Sequence, residues 1–191
     1  ERVEKIAERV MQRGNLEIKT FKSKKELLKW ADRIGTAYNN AFVNNWEYYP
    51  LTQREIDFVV ENIMTIADYR LIKIIVRGED VVGFLFAFHD VSAALQRARG
   101  KLFPFGLLDI LLEIRRTNTV SVNGMGILPE HQGHGGNALL YYAMGKTLLE
   151  FSQFSHVEMT QVAETTEQMR ADLKNLNGVE YKNNRVYKKH I

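Results

Sequence analysis

A chain of 191 residues, 45% hydrophobic and 26% charged, is long enough to bury one sizeable core and has the balance of an ordinary globular domain. It contains no cysteine, which excludes a disulfide framework and a thiolate metal site, and no paired histidines at metal-ligand spacing suggest another metal. The net charge of +3 comes from Lys and Arg interspersed with acids, which argues against a nucleic-acid stripe. No apolar run is long enough to span a bilayer and no signal peptide is evident, so the expectation is a cytoplasmic protein with no membrane or nucleic-acid partner.

The first residue is Glu1, and residues 1–13 read as a helix already in progress. Residues 1–14 are therefore expected to continue from a missing N-terminal unit, with residues 15–191 forming one domain. A short alternating strand follows at 15–21. Ser23 and Glu26 have capping-box spacing and start a helical region toward Phe42, with a break expected at Gly35. An aromatic loop spans 44–50, and Thr52 with Glu55 caps a second helix to about Met64. The apolar runs 71–77 and 81–89, divided by Gly78-Glu79-Asp80, form a hairpin. Apolar residues of both parities in 81–89 imply a strand with both faces covered. Asp90 caps a short helix to Arg99, and a markedly apolar helix spans 103–114. A central strand at 119–128, interrupted at 123–126, leads through a glycine-dense turn into a long helix to about Phe151. A strand at 155–162 and a helix from Thr165 or Thr166 to Asn177 follow. A closing hairpin is expected around Asn183-Asn184.

The sequence around the turn reads Gly126-Ile127-Leu128-Pro129-Glu130-His131-Gln132-Gly133-His134-Gly135-Gly136-Asn137-Ala138. Glycines here let successive N–H groups converge, and the following helix adds its unpaired N–H groups and the positive end of its dipole. Together these suit a phosphate or pyrophosphate. A Walker loop is excluded, because no Gly-Lys-Ser/Thr closes the run. Gly133, Gly135 and Ala138 also fit a dinucleotide fingerprint, with Glu158 at about the right distance. Against it, Pro129 to Gln132 separate the strand from the first glycine, and little chain remains for another wound half.

The turn resembles the acetyl-CoA loop of the GNAT acetyltransferase superfamily, Q/R-x-x-G-x-G/A. Gln132 and Gly135 match, and Asn137 stands where the last Gly or Ala is usual. The Asn44-Asn45-Trp46 stretch, the 102–106 segment and the Tyr181 to Tyr187 ending further resemble the C-terminal half of bacterial proteins built from two tandem GNAT-like units. The resemblance implies a mixed α/β fold: a twisted, mostly antiparallel sheet with helices on both faces. It implies an N-acetyltransferase using acetyl-CoA as cosubstrate, with no metal. The acetyl-CoA residues would be Met125, Gly126, Ile127, Gln132, Gly133, His134, Gly135, Gly136, Asn137 and Ala138. Backbone near Gly126 and Ile127 would pair with the pantetheine arm, and an N–H near Met125 or Gly126 would polarise the thioester carbonyl. Gly124 and Gly126 favour such an approach over the alternative of a bulge that only bends the sheet. Gly135→Val is expected to weaken acetyl-CoA binding by about tenfold or more and leave the fold intact.

Glu158, mid-strand, is the candidate base for the acceptor amine; its alternative is a surface ion pair. His89 and Asp90 are weaker candidates. His134 lies in the turn, beside phosphate or in solvent, and His131 reads as a solvent residue. The family's tyrosine acid is missing: the position falls on Leu173, and Tyr181 or Tyr187 are substitutes unless they pack inside. Asn44, Trp46, Tyr48 and Phe105, with Tyr49 and Phe103, either line the acceptor side or belong to the core. The acceptor would be a small-molecule amine or a peptide. The 103–112 helix would face the missing N-terminal unit or a second copy of the chain. The alternative to an enzyme is a non-catalytic module that binds CoA, or nothing, and supports a partner unit.

Overall fold

The computed structural model describes residues 2–45, 48–185, 187 and 189, which fall into two compact units, residues 1–160 and 161–191. The first unit carries five strands: β1 (Glu17–Lys19), β2 (Ile72–Arg77), β3 (Asp80–His89), β4 (Thr119–Ile127) and β5 (His156–Met159). They lie side by side in chain order in one sheet. Neighbours are antiparallel from β1 to β4, and β5 joins β4 in parallel. The helices of this unit are α1 (Arg2–Arg13), α2 (Lys24–Leu28), α3 (Ala31–Phe42), α4 (Gln53–Ile66), α5 (Ser92–Ala98), α6 (Gly106–Arg116) and α7 (Gly136–Glu150). The second unit has α8 (Glu167–Asn175).

Strand parity shows why helices cover both faces. Ile74 pairs with Phe84 on one face, and Ile75 pairs with Gly83 on the other. Ile74, Ile75 and Phe84 are all fully buried. Each such side chain contributes on the order of 1.5–3 kcal/mol of transfer free energy. On the Phe84 face lies α3, whose Tyr38 and Phe42 rings sit 5.6 and 5.8 Å from the Phe84 ring. On the Ile75 face lies α7, and α1 packs along it with Ala7 and Val10 buried. The fold class expected from the sequence is the one observed.

Local signals set most helix starts, and the departures have identifiable causes. Thr52 and Glu55 form the complete capping box of α4. At Ser23 only half of one forms, because the Glu26 carboxylate accepts the Lys22 N–H at 2.8 Å. The break in the first helical region falls between α2 and α3, at Lys29–Trp30. Gly35 instead lies inside α3, where a Cβ would come 2.9 Å from the Ile56 side chain of α4. β4 runs unbroken through 123–126: the expected interruption is a bulge at Asn123, since Phe86 faces Gly124 while Ala87 faces Val122.

The closing hairpin does not form among the described residues. Residues 179–185, 187 and 189 carry no strand, and Val186 and Lys188 lie outside the described residues. This stretch is rich in charge and instead ties Arg185 to Glu164 at 2.9 Å. Tyr181 and Tyr187 are exposed, contrary to the packing considered for them.

A buried histidine at the end of β3 makes the fold sensitive to pH. His89 packs 5.2 Å from the Phe154 ring and 6.3 Å from the Phe151 ring, and its Nδ1 has no hydrogen-bond partner among the described residues. Burial pushes its pKa down; nearby Asp68 opposes the shift and Arg70 reinforces it. The unfolded chain therefore takes up a proton near pH 6.5 that the folded state refuses. Stability is full above that pH and declines below it, down to the depressed folded value. Burial would raise the Asp68 carboxyl, but hydrogen bonds from Arg70 hold it below the usual carboxylate range. Its contribution is lost at more acidic pH, as pH falls through that lowered value. Urea unfolding from pH 8 to pH 3 is expected to show a midpoint that falls below about pH 6.5. His89→Phe keeps the ring packing and should lose that part of the slope, while the more acidic loss from Asp68 persists.

Candidate functional site

The β4–β5 ladder is short. It runs from Thr119 opposite His156 to Val122 opposite Met159, and the Thr160 N–H then bonds to the Val122 carbonyl at 3.1 Å. The Thr160 hydroxyl is shared between that carbonyl, at 3.0 Å, and Asn123 Oδ1, at 2.8 Å. Beyond this point β4 continues to Ile127 with β3 as its partner among the described residues. The outer edge of 124–127 thus presents backbone groups toward the gap that β5 has left.

The end of β4 feeds directly into the turn. The Leu128 N–H donates to the Val82 carbonyl at 2.9 Å, and Pro129–His131 form one turn of 3-10 helix. Gln132 then reaches back, its Nε2 donating to the Ile127 carbonyl at 3.0 Å, which anchors the turn to the strand. Gly133 and Gly135 take φ of +77° and +84°, the left-handed region where a side chain is strained. Gly135 is the N-cap of α7 and no side chain caps it. The first N–H groups of a helix have no intrahelical acceptor, and its dipole favours an anion there.

The two left-handed glycines differ in what surrounds them. A Cβ at Gly133 would meet nothing within 4 Å. A Cβ at Gly135 would come 2.7 Å from Val10 Cγ2 and 3.2 Å from Ile6 Cγ2, both on α1. The expectation that Gly135 accepts a side chain without harm to the fold is therefore corrected, because α1 lies against it.

Beside the turn is a cleft of about 260 Å³ whose lining includes Arg13, Arg77, Glu130, His131 and His134. His131 is half-buried and part of this wall rather than a simple solvent residue. Arg13 ends α1 and Arg77 ends β2, so sequence reading missed both. They lie far from the turn in the chain, and only the packing of α1 on α7 and the pairing of β2 with β3 bring them here.

The remaining candidates separate by face. Gly126 pairs with Phe84, Gly124 with Phe86 and Ser121 with Phe88, so all three share the face that α3 covers. Half-buried Glu158 is opposite Ser121 and shares that face too. Met125 points the other way, opposite Leu85. A Cβ at Gly126 would come 2.8 Å from Phe84 Cζ and 2.9 Å from Ala41 Cβ, so packing alone requires glycine there. Gly136 and Ala138 are buried at the start of α7, and Asn137 between them is half-buried.

On the acceptor side, Tyr48 donates its hydroxyl to Asn39 Oδ1 at 2.7 Å and its ring lies 6.0 Å from Phe42. Burial pushes its pKa up, with Tyr38 adding to the shift. Tyr48 thus belongs to the cluster of Tyr38, Phe42, Phe84 and Phe86 on the Gly126 face. Asn44 and Tyr49 are exposed, and Trp46 lies outside the described residues. Phe103 and Phe105 precede and begin α6, and no ring contact links them to this cluster among the described residues. Asp90, one residue before the Val91 N-cap of α5, accepts the Ser92 N–H at 2.9 Å, which ties it to the start of that helix. In the second unit, Leu173 lies within α8.

Solved structures share this fold. A possible acetyltransferase from Clostridium difficile superposes with a TM-score of 0.56 at 16% identity, covering 92% of this chain and 98% of that one. The aminoglycoside N-acetyltransferase AAC(6')-Iy in complex with CoA gives 0.57 at 13% identity, covering 92% and 95%. The chain has the GNAT acetyltransferase fold. An acetyltransferase of the same GNAT fold from Streptococcus agalactiae gives 0.58 at 13% identity, covering 93% and 91%. No family model matches the sequence. Among curated proteins, the bacterial ceramide synthase of Caulobacter vibrioides is 25% identical over 158 residues, 80% of this chain and 41% of that protein. Protein YghO of Escherichia coli is 24% identical over 159 residues, 81% of this chain and 41% of that protein. The chain spans about two fifths of the length of these relatives.

The contrast between the two left-handed glycines can be measured. Gly135→Ala adds left-handed strain to a collision with α1 and should destabilise the fold by about 2 kcal/mol or more. Gly133→Asn, in open space and with a residue that tolerates this conformation, should cost under about 1 kcal/mol. Urea unfolding of both variants checks the order.

Proposed function

We propose that this chain transfers an acyl group, acetyl in the simplest case, from acyl-CoA to an amine. The observation that carries the reading is the run of an open β4 edge into a glycine turn and an uncapped helix N-terminus. The edge offers backbone partners to an extended pantetheine amide chain. The N–H groups from Gly133 to Ala138 receive the pyrophosphate. Arg13 and Arg77, against the single acid Glu130, give the neighbouring cleft a net positive lining for a further phosphate, and the His131 and His134 rings add N–H donors. CoA in the AAC(6')-Iy complex supports a CoA-type donor on this fold.

In this reading Glu158 takes a proton from the acceptor ammonium on the face that α3 covers. The freed nitrogen attacks the thioester carbonyl, whose developing oxyanion is held by a backbone N–H near Met125 or Gly126. Collapse breaks the C–S bond and forms the amide. The thiolate is a far better leaving group than an amide ion, so it leaves without a dedicated acid and picks up the proton lost by the nitrogen through water. Asn44, Trp46, Tyr48 and Phe105 are the proposed acceptor contacts. A ceramide is the amide of a long-chain amine, so the Caulobacter relative supports an amine of that kind as acceptor. The greater length of the relatives supports a further unit working beside this one.

One observation favours a second reading. Leu173 stands where the family pattern carries its tyrosine acid, which suits a non-catalytic module that binds CoA. Release of free CoA thiol, followed with acetyl-CoA and longer acyl-CoAs against a panel of short and long-chain amines, separates the two. Glu158→Gln should lower the rate by about 10²–10⁴ and leave acyl-CoA affinity unchanged. Gly133→Asn should weaken acyl-CoA binding by about tenfold or more, roughly 1.4 kcal/mol, and leave Glu158 chemistry intact. Tight CoA binding with no thiol release from any amine would transfer the conclusion to the module.

A further inference from the structure

Apart from Phe105, which caps α6, the α5–α6 pair takes no part in the site above, and its polarity is reversed. Arg97 of α5 donates through Nε and Nη2 to the two carboxylate oxygens of Asp109, both at 2.9 Å, and also pairs with Glu113. Both acids of α6 are thereby held by one guanidinium. Ile110 is the buried apolar residue of this helix. At helical spacing, Leu108, Leu111, Leu112 and Arg115 fall on the opposite face, and the stripe continues back to Phe105. All of these are exposed, Phe103 by 80% and Phe105 by 75%. Leu95 and Leu102 are exposed as well.

The charges around this apolar stripe are predominantly positive. Between Ser92 and Arg116 the cations are Arg97, Arg99, Lys101, Arg115 and Arg116, and the acids are Asp109 and Glu113. Five against two leaves +3, as much as the entire chain carries. With Arg97 engaged by the acids, exposed Arg99 and Lys101 precede the stripe and exposed Arg115 and Arg116 end it.

We propose that α5–α6 docks the protein on an anionic lipid bilayer, with Phe103, Phe105, Leu108 and Leu112 entering the headgroup boundary. Charge complementarity selects this occupant. A second copy seated on the same stripe would bring two +3 faces together, whereas anionic headgroups neutralise them. α6 has 11 residues, and no described helix is long and apolar enough to cross a membrane. The helix therefore lies in the interface plane. The sequence-based expectation of no membrane partner rested on the lack of a spanning run, which does not bear on interfacial binding. The inference does not depend on the acyl-transfer reading; if both hold, a long-chain amine would come from the same surface.

Cosedimentation of the 191-residue chain with phosphatidylcholine vesicles, with and without about one third phosphatidylglycerol, tests the proposal. Binding should be at least about tenfold stronger with the anionic lipid and should weaken as salt is raised. Leu108→Ser with Leu112→Ser, or Arg115→Gln with Arg116→Gln, should each reduce it about tenfold, with circular dichroism unchanged. The chain has no cysteine, so Leu111→Cys carrying an environment-sensitive dye gives a second readout, a blue shift on anionic vesicles. No binding to either vesicle, or binding that both double variants retain, overturns the proposal. So does a dimer in light scattering that Leu108→Ser dissociates, which would make a second copy the occupant. Thiol release with a soluble amine and no vesicles reports separately on acyl transfer.

Discussion

The hydroxyls of Ser121 and Thr160 both donate to Asn123 Oδ1, at 2.7 and 2.8 Å, while the Thr160 N–H and hydroxyl also hold the Val122 carbonyl. Asn123 is the bulged residue of β4, so its side chain fastens β5 at the point where the ladder ends. A bulge increases local twist and bends its strand. Past this knot β4 and β5 part, and among the described residues Gly124 to Ile127 keep an edge that no further strand pairs with. Without that separation the turn would still exist, but no strand edge would lead a ligand into it.

A second constraint is the closeness of helix and sheet at the turn. A Cβ on Gly136 would come 3.0 Å from Ile127 Cδ1, and one on Gly135 would strike α1. The start of α7 is therefore clamped between the sheet and α1, which fixes the direction of its first N–H groups. Gly133, with open space around it, is the part of the turn left free of packing. The same close packing carries Arg13, at the end of α1, to the wall of the cleft. A helix that looks like a peripheral appendage in the sequence thus supports the proposed anion site on two counts.

The opposite end of the design is α6, where apolar side chains face outward. Its acids are turned to Arg97, and the other exposed cations gather at the ends of the stripe. A helix stabilised by its core would turn these leucines inward. The structure leaves them outside and surrounds them with positive charge, a pattern suited to a headgroup surface. Phe105 apart, the site and this face use different residues, so Leu108 and Leu112 can be altered with the site as a control.

The sequence by itself determined the features written within a few residues of one another. Apolar runs on either side of Gly78-Glu79 specify the β2–β3 hairpin, Thr52 and Glu55 specify a cap, and the glycines after Pro129 specify the turn and the start of α7. These are local because hydrogen-bond geometry and φ preferences act over a turn or less. The tertiary structure alone decided the rest. Spacing finds the apolar stripe of α6 but is blind to whether that stripe faces a core or solvent. The glycine at 126 is set by Ala41 and Phe84, and the collision at Gly135 by Val10, both distant in the chain. The convergence of Arg13 and Arg77 on the turn likewise follows from packing between elements. Such contacts depend on which surfaces meet, and a pattern read along one segment does not carry the identity of its neighbour.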